Sequence, residues 1–189
     1  GGDNQYGQLG NGSTTDSYIP VNVTGLSSGV ISVSAGYYHT CAVLSSGAVK
    51  CWGTNGFGQL GDGTTSNASA PVSVNSLSYG VWSIVAGYNY TCALKIDGSV
   101  KCWGVNNYGQ LGDGTTTNSL TPVDVNGLSS NIIALTAGQD NACALVTGGG
   151  VKCWGFNAYG RLGDGTSTNS SVPVDVTGLT PDVTAITSG

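Results

Sequence analysis

The sequence predicts an all-β chain built as a β-propeller, and three observations carry that prediction. The segment Gly7-Gln8-Leu9-Gly10 returns at Gly58–Gly61, at Gly109–Gly112 and, as Gly160-Arg161-Leu162-Gly163, once more, each copy 51 residues after the last. A strict period of this length is the signature of a repeat array. The chain of 189 residues contains 32 Gly, with Ser, Thr and Asn filling the polar positions, a composition of strands and tight turns rather than helices. Hydrophobic residues make up 39% and recur at regular positions, which argues for a packed array over a disordered chain.

The elements follow in order within the unit 58–108. The loop Gly58–Asn67 is rich in turn formers, and Pro71–Val74 is a short extended run with Pro where a strand begins. A turn at Asn75–Gly80 leads into a buried strand, Val81–Gly87. Tyr90–Lys95 and Ser99–Gly104 form a hairpin about Ile96-Asp97-Gly98, where Gly supplies the positive φ. The buried strand recurs at Val30–Gly36, Ile132–Gly138 and Val183–Gly189, and the hairpin at Thr40–Gly53 and Ala142–Gly155. Four short strands per period of about 50 residues read as a propeller blade. A β-solenoid is the structural alternative, but its coils are shorter and lack the hairpin. The repeats run 7–57, 58–108, 109–159 and, in part, 160–189, so the chain is expected to be a single array of about 3.7 repeats.

Charge narrows the function. Only 8% of residues are charged, every one of the ten acids is Asp, and the net charge is −5. Nucleic-acid binding needs a basic face, which four Lys and one Arg scattered along the chain do not supply. No run approaches the length of a membrane span.

All six Cys fall in pairs, Cys41/Cys51, Cys92/Cys102 and Cys143/Cys153, each straddling the hairpin of its repeat. A turn centred between them sets the two Cys directly opposite on antiparallel strands, close enough for a disulfide. Zinc is disfavoured by the spacing, with a single His in the chain. Reduced core thiols are the alternative. Disulfides imply an oxidising compartment, hence an extracellular or cell-surface protein.

The segments Ala-Gly-x-x-His-Thr-Cys-Ala-Val (35–43), Gly-x-Val-Lys-Cys-Trp-Gly (98–104) and Gly-x-Asn-x-x-Gly-Gln-Leu-Gly (53–61) resemble repeats of the regulator of chromosome condensation family, and the likeness extends over essentially the whole chain. The resemblance implies β-propellers, typically of seven blades. The family's nucleotide exchange activity is not carried over, because it resembles the work of an inserted wedge and these repeats keep one length. The paired Cys make the chain look closer to the family's secreted binding propellers.

Repetition accounts for most of the conspicuous side chains. Trp52, Trp103 and Trp154 read as blade-to-blade packing rather than ligand stacking; Trp82 is not repeated and is the better binding candidate. Asp62, Asp113 and Asp164 read as Asx-turns, with a calcium site in the Gly-rich loops as the alternative and no cofactor expected. His39 aligns with Tyr90 and Asn141, which makes it a hydrogen-bonding residue at a strand entry rather than a base, and no catalytic set assembles. The positions that vary between repeats are Tyr37, Tyr38 and His39; Tyr88, Asn89 and Tyr90; and Gln139, Asp140 and Asn141. Aromatic and amide side chains in such loops suit a protein or glycan ligand, with drift in exposed loops the competing explanation. Asn-x-Ser/Thr occurs at Asn11, Asn22, Asn67, Asn89 and Asn169, and the loop sites Asn11, Asn67 and Asn169 are the candidate glycosylation sites if the source glycosylates secreted proteins.

By the register, the last repeat lacks the stretch equivalent to 37–51, most of one hairpin. The chain is expected to be a fragment of a longer propeller, with pairing of two copies or strand exchange into a filament as alternatives. The function expected is a non-enzymatic extracellular scaffold that binds through loops on one face; a structural repeat of a cell surface or filament is the alternative, ahead of an exchange factor or an enzyme.

Overall fold

The computed structural model describes residues 1–179 and 183–188. Among the described residues, twelve strands form three four-stranded antiparallel sheets. Blade 1 is β1 (Val30–Ala35), β2 (His39–Leu44), β3 (Val49–Gly53) and β4 (Ala68–Ser73). Blade 2 is β5 (Val81–Ala86), β6 (Tyr90–Lys95), β7 (Val100–Gly104) and β8 (Ser119–Asp124). Blade 3 is β9 (Ile132–Ala137), β10 (Asn141–Val146), β11 (Val151–Gly155) and β12 (Ser170–Asp175). A 3₁₀ turn at Ala158–Gly160 interrupts the last long loop.

Sheet and repeat are out of step by one strand. The extended run that opens unit 58–108 is the outer part of blade 1, where Val72 pairs with Cys51. The outer strand of blade 2 comes from the following repeat, with Val123 opposite Cys102. Each repeat therefore closes its predecessor's sheet, which ties consecutive blades together through the chain itself.

The inner strands carry a bulge at one place. Val81 pairs with Lys95 and Ser83 with Leu94, so Trp82 is the extra residue; Ile31 and Ile133 are extra in the same way. An unpaired bulge residue is re-aimed away from the ladder, and these three side chains are all more than half exposed, Trp82 at 62%.

The core lies between blades rather than within them. Cys41, Val43, Val49 and Cys51 of blade 1 pack against Val81, Ile84, Ala93 and Trp103 of blade 2. Blade 2 presents Cys92, Leu94, Val100 and Cys102 to Ile132, Ala142, Ala144 and Trp154 of blade 3 in the same manner. The third copy of this layer is thinner: Leu145, Val151 and Cys153 are met by Val183 and Ile186.

One expected strand, Val183–Gly189, is not formed among the described residues. Residues 183–188 lie against blade 3 but carry no ladder, and Gly189 falls outside the described residues. A strand needs a neighbour to bond, and no described segment runs along this one.

Candidate functional site

In every blade β2 begins, and β1 and β3 end, at the same end of the sheet, since His39 pairs with Gly53 and Ala35 with Thr40. The varied loops and the long loops after β3, β7 and β11 therefore emerge together, with Thr54 N donating to Tyr38 O at 2.8 Å and Tyr88 N to Gln139 O at 3.0 Å. This loop end is strongly aromatic. Tyr37 and Tyr88 stack at 4.2 Å between centroids, Tyr37 meets Tyr38 edge-on at 4.3 Å, and Tyr6 lies 4.9 Å from Tyr38. Further round, Tyr108 and Phe156 sit 4.8 Å apart, and the Arg161 guanidinium stands 5.3 Å from the Phe156 centroid. Tyr37, Tyr88, Phe57, Tyr108 and Tyr159 are between 36% and 91% exposed.

The nine loop residues expected to face a ligand divide by position. Tyr37, Tyr88 and Gln139 are exposed. Tyr38, Asn89 and Asp140 are half-buried, and the last two accept hydrogen bonds from Gln59 Nε2 (3.1 Å) and Gln110 Nε2 (3.4 Å). Burial pushes the Asp140 carboxyl up, against the pull of Arg161. His39, Tyr90 and Asn141 do not belong to the surface: all three are buried, because the first residue of β2, β6 or β10 points into the layer against the next blade. Of the expected contact residues, these three are corrected to structural ones.

What they do inside the layer is specific. His39 Nε2 lies 2.9 Å from Thr91 Oγ1, which donates to Gln59 O at 3.0 Å. The hydroxyl proton being committed to the carbonyl, Thr91 accepts from His39 Nε2–H, and Nδ1 is left buried and unpartnered among the described residues. Burial lowers the His39 pKa to about 4. At the equivalent place Tyr90 reaches across to donate its hydroxyl to Asn141 O at 2.5 Å, and burial pushes that phenol well above its usual range.

The repeated Trp are packing residues. Trp52, Trp103 and Trp154 are buried and donate Nε1 to the carbonyls of Gln8, Gln59 and Gln110, each at 2.9 Å, joining a blade to the loop of the one before. Gly61 (φ +70°) is needed for this: a Cβ there would lie 2.7 Å from Trp103 Nε1.

The loop's organiser is a fully buried Asn at 4, 55, 106 and 157, present in the motif Gly-x-Asn-x-x-Gly-Gln-Leu-Gly but given no role there. Asn55 Nδ2 donates to Asp62 Oδ1 and to Thr64 O, both at 3.1 Å; its Oδ1 accepts from Leu60 N at 2.9 Å; its own N–H goes to Asn67 Oδ1 at 2.8 Å. The signal was present, since this Asn recurs with the 51-residue period. Asp62 Oδ1 also accepts from Thr64 N at 2.9 Å, the Asx-turn geometry. Among the described residues no group of three or more His, Cys, Asp or Glu gathers as metal ligands.

Asn67 and Asn169 are exposed, with their Oδ1 atoms held by Asn55 N and Asn157 N at 2.8 Å, and Asn11 is half-buried. Cys41–Cys51, Cys92–Cys102 and Cys143–Cys153 stand at S–S distances of 2.13, 2.10 and 2.08 Å, each pair directly opposed across its hairpin. Trp82 lies at the far end from the aromatic loops, beside Ile96 and Ile133 round an open depression of about 450 Å³.

The regulator of chromosome condensation (RCC1) repeat profile matches residues 1–43, 46–94, 97–145 and 149–189, almost the entire chain. The chain belongs to the RCC1 repeat family. It is 34% identical over 180 residues to the ultraviolet-B receptor UVR8 of Arabidopsis thaliana, and 33% identical over 159 residues to the probable E3 ubiquitin-protein ligase HERC4 of Homo sapiens. It spans 41% of the first and 15% of the second. Among solved structures, human WBSCR16 superposes with a TM-score of 0.86 at 26% identity over 98% of this chain and 49% of that one. Prp20p of Saccharomyces cerevisiae, whose binding to Gsp1p and histones has been studied, shares the fold at a TM-score of 0.71, 21% identity, over 78% of this chain and 38% of that one. Among the described residues no helix is long and apolar enough to cross a membrane.

Proposed function

We propose that this chain is a non-enzymatic binding segment of an RCC1-repeat propeller, working outside the cell, that holds a partner protein on its aromatic loop end. The observation that carries the reading is the gathering of Tyr37, Tyr88, Phe57, Tyr108 and Tyr159 at one end, each more than a third exposed. Aromatic rings supply large contact area at low entropic cost and dominate protein interfaces. The rigid blades beneath hold them in place before a partner arrives, which lowers the cost of binding. RCC1-repeat relatives with protein-binding roles support a protein ligand over a glycan.

The cysteine pairs support an oxidising compartment. The buried His39, bonded only within the layer, supports a role other than catalysis. The lysines support a partner other than nucleic acid. Lys101 and Lys152 sit on the outer ladders paired with Asp124 (2.7 Å) and Asp175 (2.6 Å), leaving the aromatic end without a basic patch.

The test immobilises the chain and screens it against a display library of secreted and surface proteins and against a glycan array. A protein binder that weakens at least tenfold for the Tyr37→Ala/Tyr88→Ala double variant is the expected result. Capture by glycans alone, binding indifferent to that variant, or turnover of a substrate by the purified chain overturns the reading.

A further inference from the structure

Departures from the repeat gather at one place on the molecule. Trp82 stands where the neighbouring repeats have Ile31 and Ile133, and Lys95 where they have Leu44 and Val146. Ile96 replaces Ser45 and Thr147, and Asp97 replaces Ser46 and Gly148. Asn131 takes the place of Gly29 and Gly80 and keeps their positive φ, +66° against +74° and +75°. A side chain is held there in a conformation that glycine adopts more readily, and such positions cluster at ligand sites. All five residues line the depression of about 450 Å³ at the far end from the aromatic loops.

The depression is enclosed by β5, the β6–β7 hairpin and the start of β9, so blades 2 and 3 make it between them. Trp82, the bulge residue of β5, is 62% exposed, whereas Trp52, Trp103 and Trp154 are exposed by 3% or less. Ile96 and Ile133 stand exposed beside it. The polar groups are placed among these. Lys95 Nζ donates to Asp97 Oδ2 at 3.1 Å, and Ser99 N and Oγ donate to Asp97 Oδ1 at 3.0 and 2.6 Å. The Ser99 bonds first, then Lys95, lower the Asp97 pKa to about 2, so the carboxylate is ionised at neutral pH. Three donors hold it, one short of its capacity of about four, and the Lys95 ammonium has spent one of its three N–H groups on it. Asn131 is tied down through its main chain, whose carbonyl accepts from Thr147 N at 2.8 Å, and the residue is exposed.

We propose that this depression is a saccharide site, in which a pyranose with equatorial hydroxyls lays one C–H face on the Trp82 indole and turns its rim hydroxyls to Asp97, Lys95 and Asn131. Such a sugar is apolar on its faces and polar round its edge. Its C–H groups meet the negative face of an aromatic ring, and each hydroxyl both donates and accepts. The site offers an acceptor in Asp97, a donor in Lys95 and both in the Asn131 amide. The volume lies in the range of small-ligand sites, and a few placed polar groups among apolar ones is their usual make-up. A protein partner would need about 800 Å² on each side, with its charges at the rim rather than an ion pair beside the central aromatic. The site stands at the opposite end from the aromatic loops and does not depend on the reading given for them.

The test labels the full chain with 5-fluorotryptophan and follows it by fluorine NMR while cellotetraose or chitotetraose is added. The Trp82→Phe chain identifies the Trp82 signal. That signal is expected to shift saturably with at least one of the two sugars, while the signals of the three buried tryptophans stay still. In calorimetric titration, Trp82→Ala is expected to weaken binding about tenfold or more. Asn131→Gly installs the residue of the neighbouring repeats, so thermal unfolding should be no earlier, yet binding should weaken about threefold or more. No saturable shift with either sugar overturns the assignment, as does undiminished affinity in either of these two variants. A protein that shields Trp82 while both sugars fail marks a protein site and overturns it as well.

Discussion

The layer between blades 1 and 2 and the layer between blades 2 and 3 are built on one plan and finished differently. Both place two Cys, a Trp and a ring of Val, Leu and Ile at equivalent points. They diverge at one pair. The first joins His39 to Thr91; the second joins Tyr90 to the main chain of Asn141, with the small Ala142 where Thr91 would stand. A short side chain is matched with a hydroxyl that reaches toward it, and a long one with a methyl that leaves it room. The repeat thus prescribes the shape of each layer, and complementary pairs fill it.

The largest effects test what the layers share. Trp103→Ala and Trp154→Ala are each expected to cost about 3–5 kcal/mol in chemical denaturation, the range for emptying a buried aromatic site. A large inequality between the two would break the claim of a common plan. Acid separates the layers. The pKa of His39 is lower folded than unfolded, so the folded chain binds fewer protons between pH 6.5 and about 4. Stability from this group is complete above pH 6.5 and falls as pH drops toward 4, by up to about 3 kcal/mol. The measurement is the unfolding free energy against pH, and a His39→Phe variant should flatten that slope. An unchanged slope would show the acid sensitivity lies elsewhere.

Exchanging the pairs sharpens the comparison further. His39→Tyr alone should crowd Thr91 and cost about 1–3 kcal/mol. Adding Thr91→Ala should recover most of it, a coupling that a double-mutant cycle measures directly. Additive costs would mean the two positions do not act as a pair. The smallest effect is Tyr90→Phe, expected to cost about 1 kcal/mol by removing the hydroxyl's bond to the Asn141 carbonyl, which keeps its second donor, Gly138 N at 2.8 Å. Thermal unfolding of the variant checks this.

Much of this was legible in the sequence because the information was local. The hairpins at Thr40–Gly53 and Ala142–Gly155 needed only turn residues and alternation, and the Cys spacing set the strand register. The sheet boundary was not legible, since pairing of Val72 with Cys51 rather than with a strand of its own repeat is a non-local choice. The burial of His39, Tyr90 and Asn141 was hidden for a related reason: variation between repeats marks an exposed loop and a compensated core pair alike. The aromatic end was half visible. Its varied loops were identified, whereas Phe57, Tyr108 and Tyr159 were passed over because they repeat. The unladdered segment 183–188 has a strand's sequence, and only its surroundings decide that it forms none.

The disulfides lie inside the layers, and that location turns them into a clock. Cys41, Cys51, Cys92 and Cys102 are fully buried, so a thiolate in solution reaches their sulfurs only when neighbouring blades part. Reduction of these two pairs under native conditions should therefore time the opening of the seams between blades 1 and 2 and between blades 2 and 3.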